Sequence, residues 1–216
     1  MKDIVVVGHG KSPAGKGWGR NIDEHTMVIR MWNCHWQNTV DYGNRYDVGF
    51  FEINSSEMQR FNTHKTRIPA VWVATELHSN IEHKKYKGDL PGGTEVVDSK
   101  PWELLGMHLG GEGTKGRLVL SRGVRAACWA IGRMQRGQTL VLVGFDNVRA
   151  GLGLSIAEGY HPAWVDCPAG FPFRDYEKNA VGNTKYGNHD YAIEEPLLRA
   201  LAKRRRVKLA YAEDIW

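Results

Sequence analysis

The chain has 216 residues, 42% of them hydrophobic, and a formal net charge of +5, enough length and apolar content for one domain, 1–216, with a sizeable core. No stretch approaches the ~20 apolar residues of a membrane span, and the apolar run that follows Lys2 and Asp3 is too short for a signal peptide. Three cysteines, Cys34, Cys128 and Cys167, make neither a disulfide framework nor a CxxC metal spacing, so the expected setting is a soluble, reducing, cytoplasmic one.

The first element is the run Ile4, Val5, Val6 and Val7, which ends in Gly8, His9 and Gly10. Four apolar residues without alternation suit a central parallel strand buried on both faces. The glycine turn after it either reverses the chain or lets backbone approach a phosphate, and the residues leave both open. Further strand candidates are 27–29, 47–51, 70–74, 118–120, 140–143 and 207–211. Helical periodicity between several of them predicts an α/β fold: a Rossmann-like, mostly parallel sheet flanked by helices. The glycine-rich stretches 90–95 and 108–116 read as surface loops. His78 and His83 are five apart and share no helix face, so no metal site is expected from them. Trp72, Trp129 and Trp164 are expected to pack, whereas Trp18, Trp32 and Trp36, beside basic residues, are compatible with stacking on nucleic acid.

The clearest helix lies in LSRGVRAACWAIGRMQRG, where Val124, Ala127, Cys128, Ile131 and Met134 make one apolar stripe. Ser121 stands at its start, either as an ordinary N-cap or as part of a helix terminus that receives an anion. A second helix lies within GNHDYAIEEPLLRALAKRRR, with Asn188 or Asp190 as its cap and Pro196 in its first turn. His189 then sits just before a helix start, where a base can meet a phosphorylated ligand, and Glu194 is placed either to steer its ring or to cap the helix. Acids open this helix and the run Lys203, Arg204, Arg205, Arg206 closes it, the order a helix dipole prefers. The same run also suits an acidic partner such as nucleic acid.

Taken in order, three stretches resemble the short sialylmotifs of the eukaryotic-type sialyltransferases, glycosyltransferase family 29. VVVGHGKSPAGKGWGRNIDEHTMVIRMWN, 5–33, is similar to the long motif, with His9 where the family usually has Asn and R-x-x-N where it has R-x-N. LSRGVRAACWAIGRMQRGQTLVLVGF, 120–145, resembles the short motif, with Ser121, Arg122 and Gly123 at its Ser/Thr-Gly turn. HDYAIE, from His189 to Glu194, has the His and Glu spacing of the very short motif, and Tyr176 in FPFRDYEK is placed in the aromatic motif.

The resemblance implies an inverting, metal-independent transfer of a sugar from a nucleotide-activated, CMP-linked donor to an acceptor hydroxyl, with no cofactor beyond that co-substrate. It implies Gly8, His9, Gly10, Asn33, Ser121, Arg122, Gly123 and Tyr176 around the nucleotide sugar, and His189 with Glu194 in catalysis. The acceptor expected is a glycan or small hydroxyl compound. Alternatives are a hydroxylated base in DNA, as a viral enzyme would modify, and a nucleotide-binding module without turnover. The family's animal members carry a membrane anchor and a disulfide between the first two motifs; this chain starts at the first strand with no cysteine beside it. The expectation is therefore a compact core of bacterial or viral type.

Overall fold

The computed structural model describes residues 3–31, 38–53, 69–76, 90–110, 120–150 and 191–216. In chain order the elements are β1 (Ile4–Val7), α1 (Gly19–Asp23), β2 (Met27–Met31), α2 (Thr39–Tyr42), β3 (Val48–Glu52), β4 (Val71–Glu76), β5 (Glu95–Asp98), α3 (Lys100–Gly110), α4 (Arg122–Arg133), β6 (Thr139–Val143), α5 (Asp146–Ala150), α6 (Tyr191–Arg205), β7 (Lys208–Tyr211) and a 3-10 turn (Ala212–Asp214). The seven strands form one sheet in the order β5-β4-β3-β2-β1-β6-β7, and every neighbouring pair is parallel. This is the α/β, Rossmann-like sheet flanked by helices that the strand pattern predicts.

The continuous apolar runs are explained by burial on both faces, because successive strand side chains point to opposite sides. Ile4 and Val6 join the core under α4 and α6 with Ile29, Phe50 and Leu142. Val5 and Val7 join the other face with Trp18, Ile22 and Tyr42. Val5, Val6 and Val7 are each fully buried, and complete burial of an aliphatic side chain of this size is worth about 1.5–3 kcal/mol. A third cluster, Phe51, Ile53, Trp72 and Ala74, closes the sheet towards its β4 side.

Several elements differ from the sequence expectation. β5 starts at Glu95, inside the stretch read as a loop, and His108 to Gly110 complete helix α3. Leu120 is not in a strand, and 118 and 119 lie outside the described residues. Helix α4 is buried beyond one stripe, with Arg125, Ala126, Trp129 and Ala130 also enclosed, because α6 packs beside it and strands β1, β2, β3 and β6 lie beneath it. Pro196 falls in the second turn of α6 rather than its first. A proline there costs a helix about 3 kcal/mol. The buried contacts of Ile193, Glu194, Leu197 and Leu198 hold the helix through it, and Pro196 itself faces solvent. Trp18, expected near a surface, is 9% exposed and packs edge-on against Trp216 with ring centroids 5.7 Å apart. Trp72 and Trp129 pack as expected; Trp32, Trp36 and Trp164 lie outside the described residues, as do His78 and His83.

Candidate functional site

The chain runs outward from β1 through β2, β3, β4 and β5, then returns by α4 to place β6 on the other side of β1. Strand order reverses there, and in open α/β sheets the crevice outside the carboxyl ends at such a point is where ligands bind. The turns after β1 and β6 meet in this crevice. The Gly8 N–H donates to the Val143 carbonyl at 2.7 Å, and the Gly10 N–H donates to the Gly144 carbonyl at 2.7 Å. A Cβ on Gly8 would lie 2.6 Å from the Gly144 oxygen, and one on Gly10 2.5 Å from it, so both positions exclude any side chain. Gly144 itself has φ +67, a conformation that glycine adopts at little cost.

Phe145 links this crevice to the start of α4. A Cβ on Gly8 would lie 3.2 Å from its ring, and a Cβ on Gly123 3.1 Å. The two glycines therefore flank one aromatic ring, and the first glycine turn and the Ser121-Arg122-Gly123 turn become neighbours. Arg122 and Gly123 are half-buried there, as is His9.

Ser121 takes the N-cap position of α4 with extended backbone, yet its side chain makes no capping bond. Its hydroxyl instead donates to Glu194 Oε2 at 2.8 Å, and its N–H donates to Glu194 Oε1. Glu194 is completely buried, which is tolerable for a carboxylate because two donors and the positive end of α4 meet it. Thus an internal carboxylate already engages Ser121, and the remaining first-turn N–H groups of α4 are those that have no intrahelical acceptor. Cys128, one face of α4 deeper, has its thiol pKa pushed up by burial, with the Glu194 charge adding to the effect and Arg125 opposing it.

The loop between β1 and α1 is held by two further carboxylates that sequence reasoning missed. Asp146, at the start of α5, accepts from the Lys11 N–H at 2.6 Å and the Ser12 N–H at 3.0 Å. Asp41, on α2, accepts from the Gly15 N–H at 2.7 Å and the Gly17 N–H at 2.8 Å. The Tyr42 hydroxyl donates to the Gly10 carbonyl at 3.2 Å, and burial, then the charges of Asp146 and Asp41, push its pKa up. The available signal for Asp146 is its position directly after V-G-F; nothing local marks Asp41 as a clamp.

Arg30, in the V-I-R portion of the first motif, is 2% exposed. It donates through Nε to the Arg45 carbonyl and through Nη2 to the Tyr42 carbonyl, both at 2.6 Å, so it ties the segment after α2 to β2. Arg125 was also unmarked. Its Nη2 donates to Glu52 Oε2 at 2.8 Å and its Nη1 to Thr75 Oγ1 at 3.1 Å, binding the start of α4 to the carboxyl ends of β3 and β4.

Of the residues singled out from sequence, Gly8, His9, Gly10, Ser121, Arg122, Gly123 and Glu194 are gathered at this end of the sheet. Asn33, Tyr176 and His189 lie outside the described residues. Among the described residues no three His, Cys, Asp or Glu side chains gather as a metal site requires, and no helix is long and apolar enough to cross a membrane.

No family model and no curated protein sequence matches the chain. Its fold is similar to that of a mammalian sialyltransferase known from a crystal structure, with TM-score 0.54 and 15% sequence identity, over 97% of this chain and 68% of that one. The likeness is one of fold: a sialyltransferase-like, Rossmann-type domain.

Proposed function

We propose that this chain, with its sialyltransferase-like fold, is a glycosyltransferase that moves a sugar from a CMP-activated donor to the hydroxyl of a glycan or other small acceptor, with inversion and without a metal. The observation that carries the reading is convergence. The glycine turn after β1, the Ser121 turn and Glu194 come from three distant stretches that resemble the sialylmotifs, and they meet where an open α/β sheet binds ligands.

In this reading the acceptor oxygen bonds to the anomeric carbon from the face opposite the leaving phosphate, whose bond to that carbon breaks. His189 takes the acceptor proton, a role worth roughly 10²–10⁴ in rate. The first turn of α4 offers N–H groups and its positive end to the phosphate as charge develops. Asn33 and Tyr176 contact the nucleotide. Glu194 acts as a positioning residue, since its carboxylate is engaged by Ser121.

The test is calorimetric titration with CMP, UMP, GMP and AMP in EDTA, using the whole chain and its Asn33→Ala and His189→Ala variants. Preferential CMP binding that weakens in Asn33→Ala is expected. His189→Ala is expected to bind CMP normally and to lose sugar transfer. Absence of binding to every nucleotide would overturn the reading, and binding without transfer by the unaltered chain would favour a nucleotide-binding module.

A further inference from the structure

We infer that the end of the sheet opposite the candidate site is a docking surface for the phosphate backbone of duplex DNA. Helices α4 and α6 both start at the site, through Ser121 and Glu194, and both end at this surface. A helix of the length of α4 runs roughly 18 Å, so the surface is remote from the crevice and its partner is a tether, not the acceptor. The inference stands apart from the glycosyl-transfer reading.

Two helix ends and two strand entries bring the cations together. Arg205 Nη2 donates to the Gly132 carbonyl at 2.6 Å, joining the end of α6 to that of α4. The Gly137 N–H donates to the Arg206 carbonyl at 2.9 Å, and the Lys208 N–H donates to the Gln138 carbonyl at 2.8 Å. Arg136, Lys203, Arg204, Arg206 and Lys208 are therefore neighbours in space and all are exposed. Cations at helix ends are expected from the dipole alone; of those in the last turns of α4 and α6, Arg205 meets the Gly132 carbonyl and Arg133 meets Glu95. The carboxylates at this end are engaged: Glu95 pairs with Arg133 and accepts from Trp129 Nε1, and Asp3 accepts from the Thr139 N–H at 2.9 Å. Among the described residues no carboxylate pairs with the five remaining cations.

Arg206 supplies the second observation. Its φ is +57, the one non-glycine residue with positive φ among the described residues. Its N–H donates to the Lys203 carbonyl at 3.1 Å, and the Val207 N–H donates to the Ala202 carbonyl at 3.0 Å. This is the helix ending in which glycine is strongly favoured, and a side chain there is strained. An exposed arginine therefore stands where glycine would fold at less cost, beside the other cations of this surface.

The chemistry of the surface selects the partner. Arginine forks match phosphate geometry. Single strands are held by exposed aromatic platforms, but the aromatic here, Trp129, is 4% exposed and lies under the Arg133 guanidinium, 4.1 Å from its ring centroid. Membrane-surface binding uses an apolar face, and the exposed large apolar residues, Val40, Val71, Leu104, Leu109 and Ile215, belong to neither helix end.

The test is fluorescence anisotropy with a short labelled duplex of arbitrary sequence, across a salt series. The unaltered chain should bind, with log affinity falling linearly against log salt by about 0.9 per phosphate contact. Arg136→Glu/Lys203→Glu/Arg204→Glu should weaken binding by about tenfold or more and flatten that slope. Lys16→Glu/Arg20→Glu/Lys100→Glu makes the same change in net charge away from this surface and should lose far less. Arg206→Gly should raise Tm while weakening DNA binding, a pairing that a purely structural arginine does not give. Equal losses in the two triple variants, or tighter binding to single strands or phosphatidylserine vesicles than to duplex, would overturn the inference. CMP binding measured in parallel should be untouched in the Arg136 triple variant, so the two proposals fail separately.

Discussion

The buried carboxylate of Glu194 accepts hydrogen bonds from both the N–H and the hydroxyl of Ser121, a residue 73 positions earlier in the chain. This contact fastens the start of α6 to the start of α4 beside the crevice. Glu194→Ala takes the acceptor from the half-buried Ser121 N–H and hydroxyl, and a loss of about 1–3 kcal/mol is expected. Ser121→Ala should cost less, since the backbone donor remains. The double variant should fall short of the sum of the singles, because both remove one shared interaction. Chemical denaturation of the four proteins checks this; strict additivity would mean that the pair does not act as a unit.

Arg125 and Glu52 form a second long-range tie, with side chains 1% and 13% exposed. Removing one partner of a buried ion pair costs about 3–5 kcal/mol, because the other charge stays buried. Arg125→Met and Glu52→Gln are each expected to destabilise strongly, and Arg125→Met/Glu52→Gln to recover part of the loss. Denaturant midpoints that show no recovery in the double variant would contradict the pairing.

Gly10 and Gly132 should respond to alanine with opposite signs. A Cβ on Gly10 would press within 2.5 Å of the Gly144 carbonyl oxygen, whereas one on Gly132 meets nothing within 4 Å. Gly10→Ala forces the turns after β1 and β6 apart and should lower Tm together with nucleotide affinity. Gly132→Ala, on the exposed last turn of α4, should stabilise by about 0.5–1 kcal/mol through helix propensity. Differential scanning calorimetry of the two variants decides it.

Alkaline pH should weaken the fold. The Cys128 thiol, ordinarily 9.0, and the Tyr42 and Tyr211 hydroxyls, ordinarily 10.0, are all raised in the folded chain, chiefly by burial. Below these ordinary values both states hold the protons and no stability is lost. As pH rises past 9.0 the unfolded chain releases them first, so stability falls by up to about 1.4 kcal/mol per pH unit for each group. Unfolding midpoints measured from pH 8 to 11 should decline along this course, and Cys128→Ala should shallow the first part of the decline. Rapid modification of Cys128 by a thiol reagent in the native protein at neutral pH would contradict its burial.

The sequence by itself determined the architecture of the sheet's centre. Runs such as Ile4 to Val7 and Leu140 to Val143 contain no alternation, and a strand of that kind is stable where both faces are covered, which means a parallel sheet under helices. It also marked the turns that meet at the crevice, because Gly8 and Gly10 directly follow a buried strand and Ser121 precedes a helical stripe; what excludes a side chain at Gly8, Gly10 and Gly123, the Gly144 carbonyl and the Phe145 ring, comes from the tertiary structure. Of the carboxylates that complete the site, Glu194 is marked by its spacing from His189 and Asp146 by its place directly after V-G-F, whereas Asp41 carries no local pattern. Their partners were not legible, because the Ser121, Lys11 and Gly15 groups they accept from lie 73, 135 and 26 positions away. Nor was β5, whose half-buried Glu95, Val96 and Val97 gain their strand from pairing with β4. Local steric and periodic preferences fix which elements form and where they turn. Which donors a buried carboxylate satisfies, and which cations share a surface, is decided by chain crossing, and that the tertiary structure alone supplies.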